Sequence, residues 1–338
     1  MPSKKEILAH LGAYTGATRL IEAMPSPPSL LILNYHRIGD ADQTPYDSGI
    51  FAATAAELDW QVGHLKRRFP IVNLDQAVDI IHGRSSLSRT SVLFTFDDGY
   101  RDNYVEAFPI FLKHQVSATF FLPTSFIGTG RLPWWDVIAY IVKTSREKRI
   151  TLTYPETVEF DLTPAHRARS IMGILKLFKR PSVTDTERFI RDLEAACGSQ
   201  CPAESAERCF LNWDEAREMQ RGGMCFGSHT HTHELLGKLS YARQSEELQT
   251  SREILERELD RTIDTLAYPV GKLDTFSQET FAALRNTQYQ TAFSFYSGVN
   301  RPGHIQPFDV LRFGVDGASR ATFRLRTALS ATIGRAIV

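Results

Sequence analysis

Short apolar runs alternate with longer amphipathic stretches along most of this chain. Leu30–Tyr35 (LLILNY), Ser91–Phe96 (SVLFTF) and Ser117–Leu122 (SATFFL) are almost uninterrupted apolar segments, too short for buried helices. They fit strands covered on both faces, as in a parallel sheet. Ile71-Val72, Met224–Phe226, Thr265–Tyr268, Thr291–Phe295 and Val310–Val315 are further strand candidates, the third of them stopped by Pro269 and Gly271. Between these runs the period lengthens. Phe51–Arg68 places Leu58, Val62 and Leu65 on one face, and Leu74–Ile81, Tyr104–His114, the charged Ser240–Leu259 and Ser277–Arg285 also read as helices. Strand-then-helix alternation predicts an α/β fold in which helical crossovers wrap a parallel sheet into a barrel.

Two regions depart from this rhythm. Lys4–Met24 has apolar residues at helical spacing and ends at Pro25, Pro27 and Pro28, so it predicts an N-terminal helical arm. Residues 131–208 are more polar and mainly helical, including Arg167–Arg180, and read as an insertion. The expected division is an arm over 1–28, a barrel domain over 29–320 containing a mainly helical insertion at 131–210, and a helical tail over 321–338.

Composition narrows the possibilities. The 338 residues are 42% hydrophobic and 23% charged, which suits a globular protein with a sizeable core. The 39 Lys and Arg cancel the 39 Asp and Glu, so no overall field draws the chain to nucleic acid, and no nucleic-acid partner is expected. Cys197, Cys201, Cys209 and Cys225 lack paired zinc-site spacing and read as ordinary thiols. The first twenty residues have no continuous apolar core of a signal peptide, and no window approaches the roughly 18 apolar residues of a membrane span. The expectation is a cytoplasmic protein with no integral membrane segment. Eleven Lys and Arg against six Asp and Glu between Lys143 and Arg191, part of them around the amphipathic Ile171–Phe178, make the insertion a candidate for peripheral contact with the inner membrane face.

Two short strings carry candidate chemistry. Asp97-Asp98-Gly99 follows the Ser91–Phe96 run, at the position where parallel α/β folds place their sites, although Asp and Gly are also ordinary turn residues. Gly227–His233 (GSHTHTH) follows the Met224 run and holds three of the ten histidines. Two imidazoles and one carboxylate form a zinc-type donor set that leaves a position open. A helical turn would bring His229 and His233 together and send His231 elsewhere; an extended segment would align all three.

The strings TFDDGY (Thr95–Tyr100) and GSHTHTH resemble the first two motifs of the polysaccharide deacetylases, the NodB-like carbohydrate esterases. LNYHRI (Leu33–Ile38), WDEAREMQRGG (Trp213–Gly223) and LAYPVG (Leu266–Gly271) extend the resemblance from about Leu30 to Val315, excluding the insertion. It implies a distorted (β/α) barrel and a hydrolase that removes acetyl groups from N-acetylated sugars with a divalent metal, zinc above all. Position by position, it makes Asp98, His229 and His233 the metal ligands and Asp97 the base that takes a proton from the attacking water. It also places Tyr100, Pro269, Val270 and Gly271 beside the substrate, with a backbone N–H near Pro269–Gly271 meeting the charge that develops on the carbonyl oxygen.

The chain departs from the family pattern in two places. No Leu-x-His motif follows Val310, so the proton donor to the departing amine is assigned to His36, in a Tyr-His string resembling that of one family branch, with His304 as runner-up. Ala267 stands where the familiar third motif has an arginine that braces the base, and Arg312, in VLRFGV, is the candidate replacement. Trp134 and Trp135, after Pro133, are candidate sugar platforms as well as candidate core residues. The expected activity is deacetylation of an N-acetylhexosamine unit in a glycan or its precursor. The alternatives are hydrolysis of another non-peptide C–N bond and a catalytically silent glycan-binding protein.

Overall fold

The computed structural model describes residues 4–205 and 207–333. Residues 1–3 of the predicted arm and 334–338 of the predicted tail lie outside the described residues. Contacts divide the chain into a barrel unit, residues 1–39, 51–129 and 210–338, and a second unit, residues 40–50 and 130–209.

The barrel unit is built on seven parallel strands: β1 (Leu30–Tyr35), β2 (Ser91–Phe96), β3 (Thr119–Leu122), β4 (Cys225–Ser228), β5 (Thr265–Ala267), β6 (Thr291–Phe293) and β7 (Phe313–Gly314). Their order is β6-β5-β4-β3-β2-β1-β7. Every residue of β1 and β2 is buried, which is why their sequences run apolar without alternation. The segment ahead of β7 draws the two edges together. Phe313 pairs with Leu33 of β1, while Val310 pairs with Phe293 of β6 and accepts a hydrogen bond from Ser294 N at 2.9 Å. The sheet therefore curls into the distorted barrel that the sequence predicts.

The predicted strand Val310–Val315 is shorter than expected because the Asn300 side chain takes both backbone groups of Leu311, at 2.9 Å and 2.8 Å, in place of a strand neighbour. The predicted arm is two helices, Lys4–Tyr14 and Ala17–Ala23, broken at Gly16, whose φ of 78° only glycine adopts freely.

The second unit contains helices Trp134–Thr144, Arg167–Phe178 and Thr186–Cys197 and an antiparallel hairpin, Arg149–Leu152 with Val158–Asp161. The hairpin is absent from the sequence reading, which finds only helix and polar chain there. Helix Arg167–Phe178 turns Ile171, Ile174, Leu175, Leu177 and Phe178 into its own core. On this helix Ala168, Arg169, Met172 and Lys176 remain exposed. Among the described residues no helix is long and apolar enough to cross a membrane. All four cysteines are free thiols.

Candidate active site

The strand register sets up the site. Tyr35 of β1 lies opposite Phe96 of β2, so His36 and Asp97 leave the carboxyl ends of the two strands at one level. Asp97 N donates to Tyr35 O at 3.0 Å and holds that level. The chain then turns through two left-handed residues, Asp98 (φ 73°) and Gly99 (φ 67°). A side chain at Gly99 would put its Cβ 2.7 Å from Leu122 Cδ2. For Asp98 the left-handed conformation costs about 1–2 kcal/mol, the kind of local strain that recurs at functional positions.

β4 delivers the histidines. Ser228 lies opposite Leu122 of β3, and His229 N donates to Leu122 O at 3.0 Å. The His229 ring bonds through Nδ1 to Ala267 O at 2.8 Å, which fixes the tautomer and turns Nε2 into the site. The segment that follows is neither a helical turn nor extended. Thr230 (φ 65°) and His233 (φ 59°) are both left-handed, and Thr230 Oγ1 accepts from His233 N at 3.1 Å. That geometry brings His229 Nε2 to 3.4 Å and His233 Nε2 to 3.3 Å from Asp98 Oδ1. The His231 ring turns away to Thr124 Oγ1 at 2.8 Å. Two of the three imidazoles converge.

This donor set fits a divalent ion. Asp98, His229 and His233 are buried, and each offers a ligand atom within 4.8 Å of the others. Ligands about 2.0–2.1 Å from a tetrahedral zinc stand about 3.3 Å apart, close to the two contacts with Asp98. Burial acts to raise the Asp98 pKa, yet hydrogen bonds from His229 and His233 hold it well below the carboxylate range. Burial lowers the pKa of His233. Both shifts favour the protonation states that bind metal. For His229 burial also acts to lower the pKa, but Asp97 and Asp98 together raise it. With the imidazoles neutral, two carboxylates against one guanidinium leave the pocket negative, the environment that draws in a cation.

The guanidinium is that of Arg312, fully buried although it is the largest such side chain. Its Nη1 and Nη2 reach Asp97 Oδ1 and Oδ2 at 2.7 Å and 2.8 Å, a bidentate pair, and its Nε donates to Ser294 O at 2.9 Å. Asn34 completes the cradle. Its amide donates to Asp97 Oδ2 at 3.0 Å, and its oxygen accepts from Arg312 Nη1 and Thr95 Oγ1, each at 2.8 Å. Burial acts to raise the Asp97 pKa; the Arg312 charge overcomes it and keeps the carboxyl below its ordinary value. Sequence reasoning omits Asn34. Its signal is a lone amide inside an otherwise apolar strand, where a buried polar group needs partners.

Other sequence candidates are placed as follows. His36 packs against Phe295 at a ring separation of 5.4 Å, and a positive charge on its ring acts to lower the pKa of both Asp97 and Asp98. His304 is exposed in the loop before Val310, with no interaction with either carboxylate among the described residues. Val270 holds a φ of 62°, an outlier for a β-branched residue, and Gly271 N closes a tight turn onto Pro269 O at 2.7 Å. Proline has no N–H and that of Gly271 is engaged, so within Pro269–Gly271 the candidate backbone donor is Val270 N–H.

The three aromatic candidates are placed as follows. The Tyr100 ring is fully buried, tilted against Phe210 at 4.7 Å and covered by Arg37 at 4.5 Å. Trp135 lies in the core of the second unit, and Trp134 stacks on Phe178 at 4.5 Å against that core. Both rings thus pack with the apolar side chains of that unit, Trp134 being only partly buried.

A parallel barrel with an Asp-His-His cluster and a braced carboxylate at the carboxyl ends of its strands belongs with the α/β-barrel hydrolases. The profile of the family described as "Polysaccharide deacetylase" matches residues 84–292, more than half of the chain. The chain belongs to that family, whose members are hydrolases acting on non-peptide amide bonds. Among solved structures it is similar to the Streptococcus pyogenes deacetylase PplD in complex with acetate, at 16% identity and a TM-score of 0.58, covering 90% of this chain and 99% of that one. It is also similar to IcaB from Ammonifex degensii, at 19% identity and a TM-score of 0.56, covering 90% and 98%. YxkH of Bacillus subtilis (strain 168) is 21% identical over 203 residues, 60% of this chain but only 44% of that protein's length.

Proposed function

We propose that this protein is a metal-dependent deacetylase that removes the N-acetyl group from an N-acetylhexosamine unit of a glycan or glycan precursor. The observation that carries the reading is the convergence of Asp98, His229 and His233 beside a carboxylate held by Arg312. These three side chains would hold the ion, and their donor set suits zinc. Such an ion supplies Lewis acidity, lowering the pKa of water and polarising an amide carbonyl. Asp97, kept ionised and aimed by Arg312 and Asn34, takes the proton of the attacking water. Val270 N–H is the backbone donor that faces developing charge on the carbonyl oxygen. His36 gives a proton to the departing amine nitrogen, which leaves as a free amine while the acyl carbon leaves as acetate. Asp97 ends protonated and His36 deprotonated, so the Asp97 proton returns to His36 through solvent; the proton lost as the acid ionises to acetate is taken up by the amine, and atoms and charge balance.

Acetate release from a panel of N-acetylated sugars, with stoichiometric zinc, tests the activity. Asp98→Asn and His229→Ala are expected to lose bound metal, whereas Asp97→Asn keeps the metal and loses turnover. His36→Ala keeps the metal and turns over slowly. Undiminished hydrolysis by Asp97→Asn rules out the proposed base, and no acetate from any substrate returns the reading to another C–N bond or to glycan binding alone.

A further inference from the structure

We infer that Glu247 is a positioning residue for the two imidazoles of the cluster, an inference that rests on the metal-binding reading of the site. Glu247 lies on the helix Tyr241–Leu259 and is only 2% exposed. Its carboxylate reaches the segment between the histidines. Oε2 accepts from His231 N at 3.0 Å and Thr232 N at 2.8 Å, and Oε1 accepts from Thr232 Oγ1 at 2.7 Å. Arg243, one turn earlier, brings Nη2 to 3.8 Å from Oε1. Two successive backbone N–H groups and a hydroxyl converging on one carboxylate form a small anion-binding nest, closed by charge-assisted bonds.

The opposite side of the segment is held by the loop after β3. Thr124 N donates to Thr230 O at 3.3 Å, and Ser125 N donates to His231 O at 2.9 Å. His231 and Thr232 are thus clamped between the helix and that loop. They lie between two residues, Thr230 and His233, whose left-handed conformations persist only under external constraint. If the carboxylate is removed, two part-buried N–H groups lose their acceptor and the segment gains a reason to relax. His229 is fixed independently through Ala267 O, so relaxation displaces His233 relative to it. The distance between the two ligand nitrogens is what the clamp controls, and partners of this kind typically change metal affinity 10–100-fold.

The test is Zn²⁺ affinity, measured on the full chain by competition with a chromophoric chelator, together with amide exchange of the metal-free protein. Glu247→Ala is expected to weaken Zn²⁺ binding about 10–100-fold and to speed exchange at His231 and Thr232, with Glu247→Gln intermediate. Glu253→Gln, exposed on the same helix, should match the parent in both. A purely structural role would lower melting temperature and leave the Zn²⁺ affinity of the folded molecules unchanged. That result overturns the inference, whether obtained with Glu247→Ala or, if that variant does not fold, with Glu247→Gln. Absence of Zn²⁺ uptake by the parent protein overturns the metal reading, and the inference with it; parental uptake matched by the variants overturns the inference alone.

Discussion

Replacing Arg312 with methionine tests whether the base is held by a buried ion pair. The guanidinium is fully buried and makes four hydrogen bonds, two to Asp97, one to Asn34 and one to Ser294 O. Methionine fills much of the volume and removes the charge. Asp97 then keeps Asn34 Nδ2 but loses its counter-ion, and Ser294 O loses its donor. Breaking a buried pair by deleting one partner costs about 3–5 kcal/mol, and a buried carbonyl left unpaired adds about 1 kcal/mol or more. Protonation of Asp97 offers an escape and caps the total, so we expect a loss of about 4 kcal/mol at pH 7. The double variant Asp97→Asn/Arg312→Met contains no orphaned charge and should recover about 2–3 kcal/mol of that loss. Amide exchange at Ile32 and Leu93, buried mid-strand in β1 and β2, reads the opening free energy of the barrel unit separately from the second unit. A loss below about 1 kcal/mol in Arg312→Met, or a double variant no more stable than the single one, refutes the argument, because the pair would then be contributing little to the state of Asp97.

Two further outcomes follow from other parts of the barrel unit. Gly99→Ala places a Cβ 2.7 Å from Leu122 Cδ2 and 3.0 Å from Ile127 Cδ1 at a left-handed position, so thermal melting should show a loss of about 1–3 kcal/mol; unchanged melting would mean that the Asp98–Gly99 turn is not strained. His64 is stacked on Trp60, and burial pushes its pKa down to about 4 although Glu22 lies 3.5 Å away. The unfolded chain takes up this proton near pH 6.5 and the folded chain only near pH 4, so stability falls between those values as pH drops, by at most about 3 kcal/mol. Urea titrations at pH 7 and pH 4.5 should show that loss in the parent protein and a smaller one in His64→Phe; equal losses would show that other groups carry the pH dependence.

Much of the barrel is legible in the sequence because its strands are buried on both faces. An apolar run such as SVLFTF carries the strand in its composition, and the acidic pair that follows it falls at the carboxyl end by necessity. Legibility weakens where a segment is short or half-buried. Arg149–Leu152 alternates between exposed and buried over four residues only, and its hairpin partner is less regular still, so both resemble polar loop. Residues 40–50 group with 130–209 through contacts that no local pattern announces: Lys143 Nζ reaches Thr44 O and Tyr46 O, and Asp47 N donates to Asp136 Oδ1. For Trp134 and Trp135 the sequence leaves a sugar platform and core packing both open for a related reason. They open a helix whose apolar face has its own core to fill.

The site divides along the same line. Candidate ligands supplied by one short segment are visible as spacing, and for His229 and His233 only the conformation of the intervening residues is left open. Residues that reach such a site from elsewhere have no spacing to betray them. Glu247 sits in a helix crowded with Glu and Arg, where a buried carboxylate and a solvated one look alike in sequence. Asn34 is one amide in a strand. Arg312 lies 215 positions from Asp97, and a pair so distant forms only because the chain that bonds to β6 at Val310 goes on to pair with β1 at Phe313. Closure of the sheet and bracing of the proposed base are therefore one structural event. The backbone that joins the sheet's two edges also carries the guanidinium inward, so a variant that loosens this junction should loosen Asp97 even with every site side chain intact.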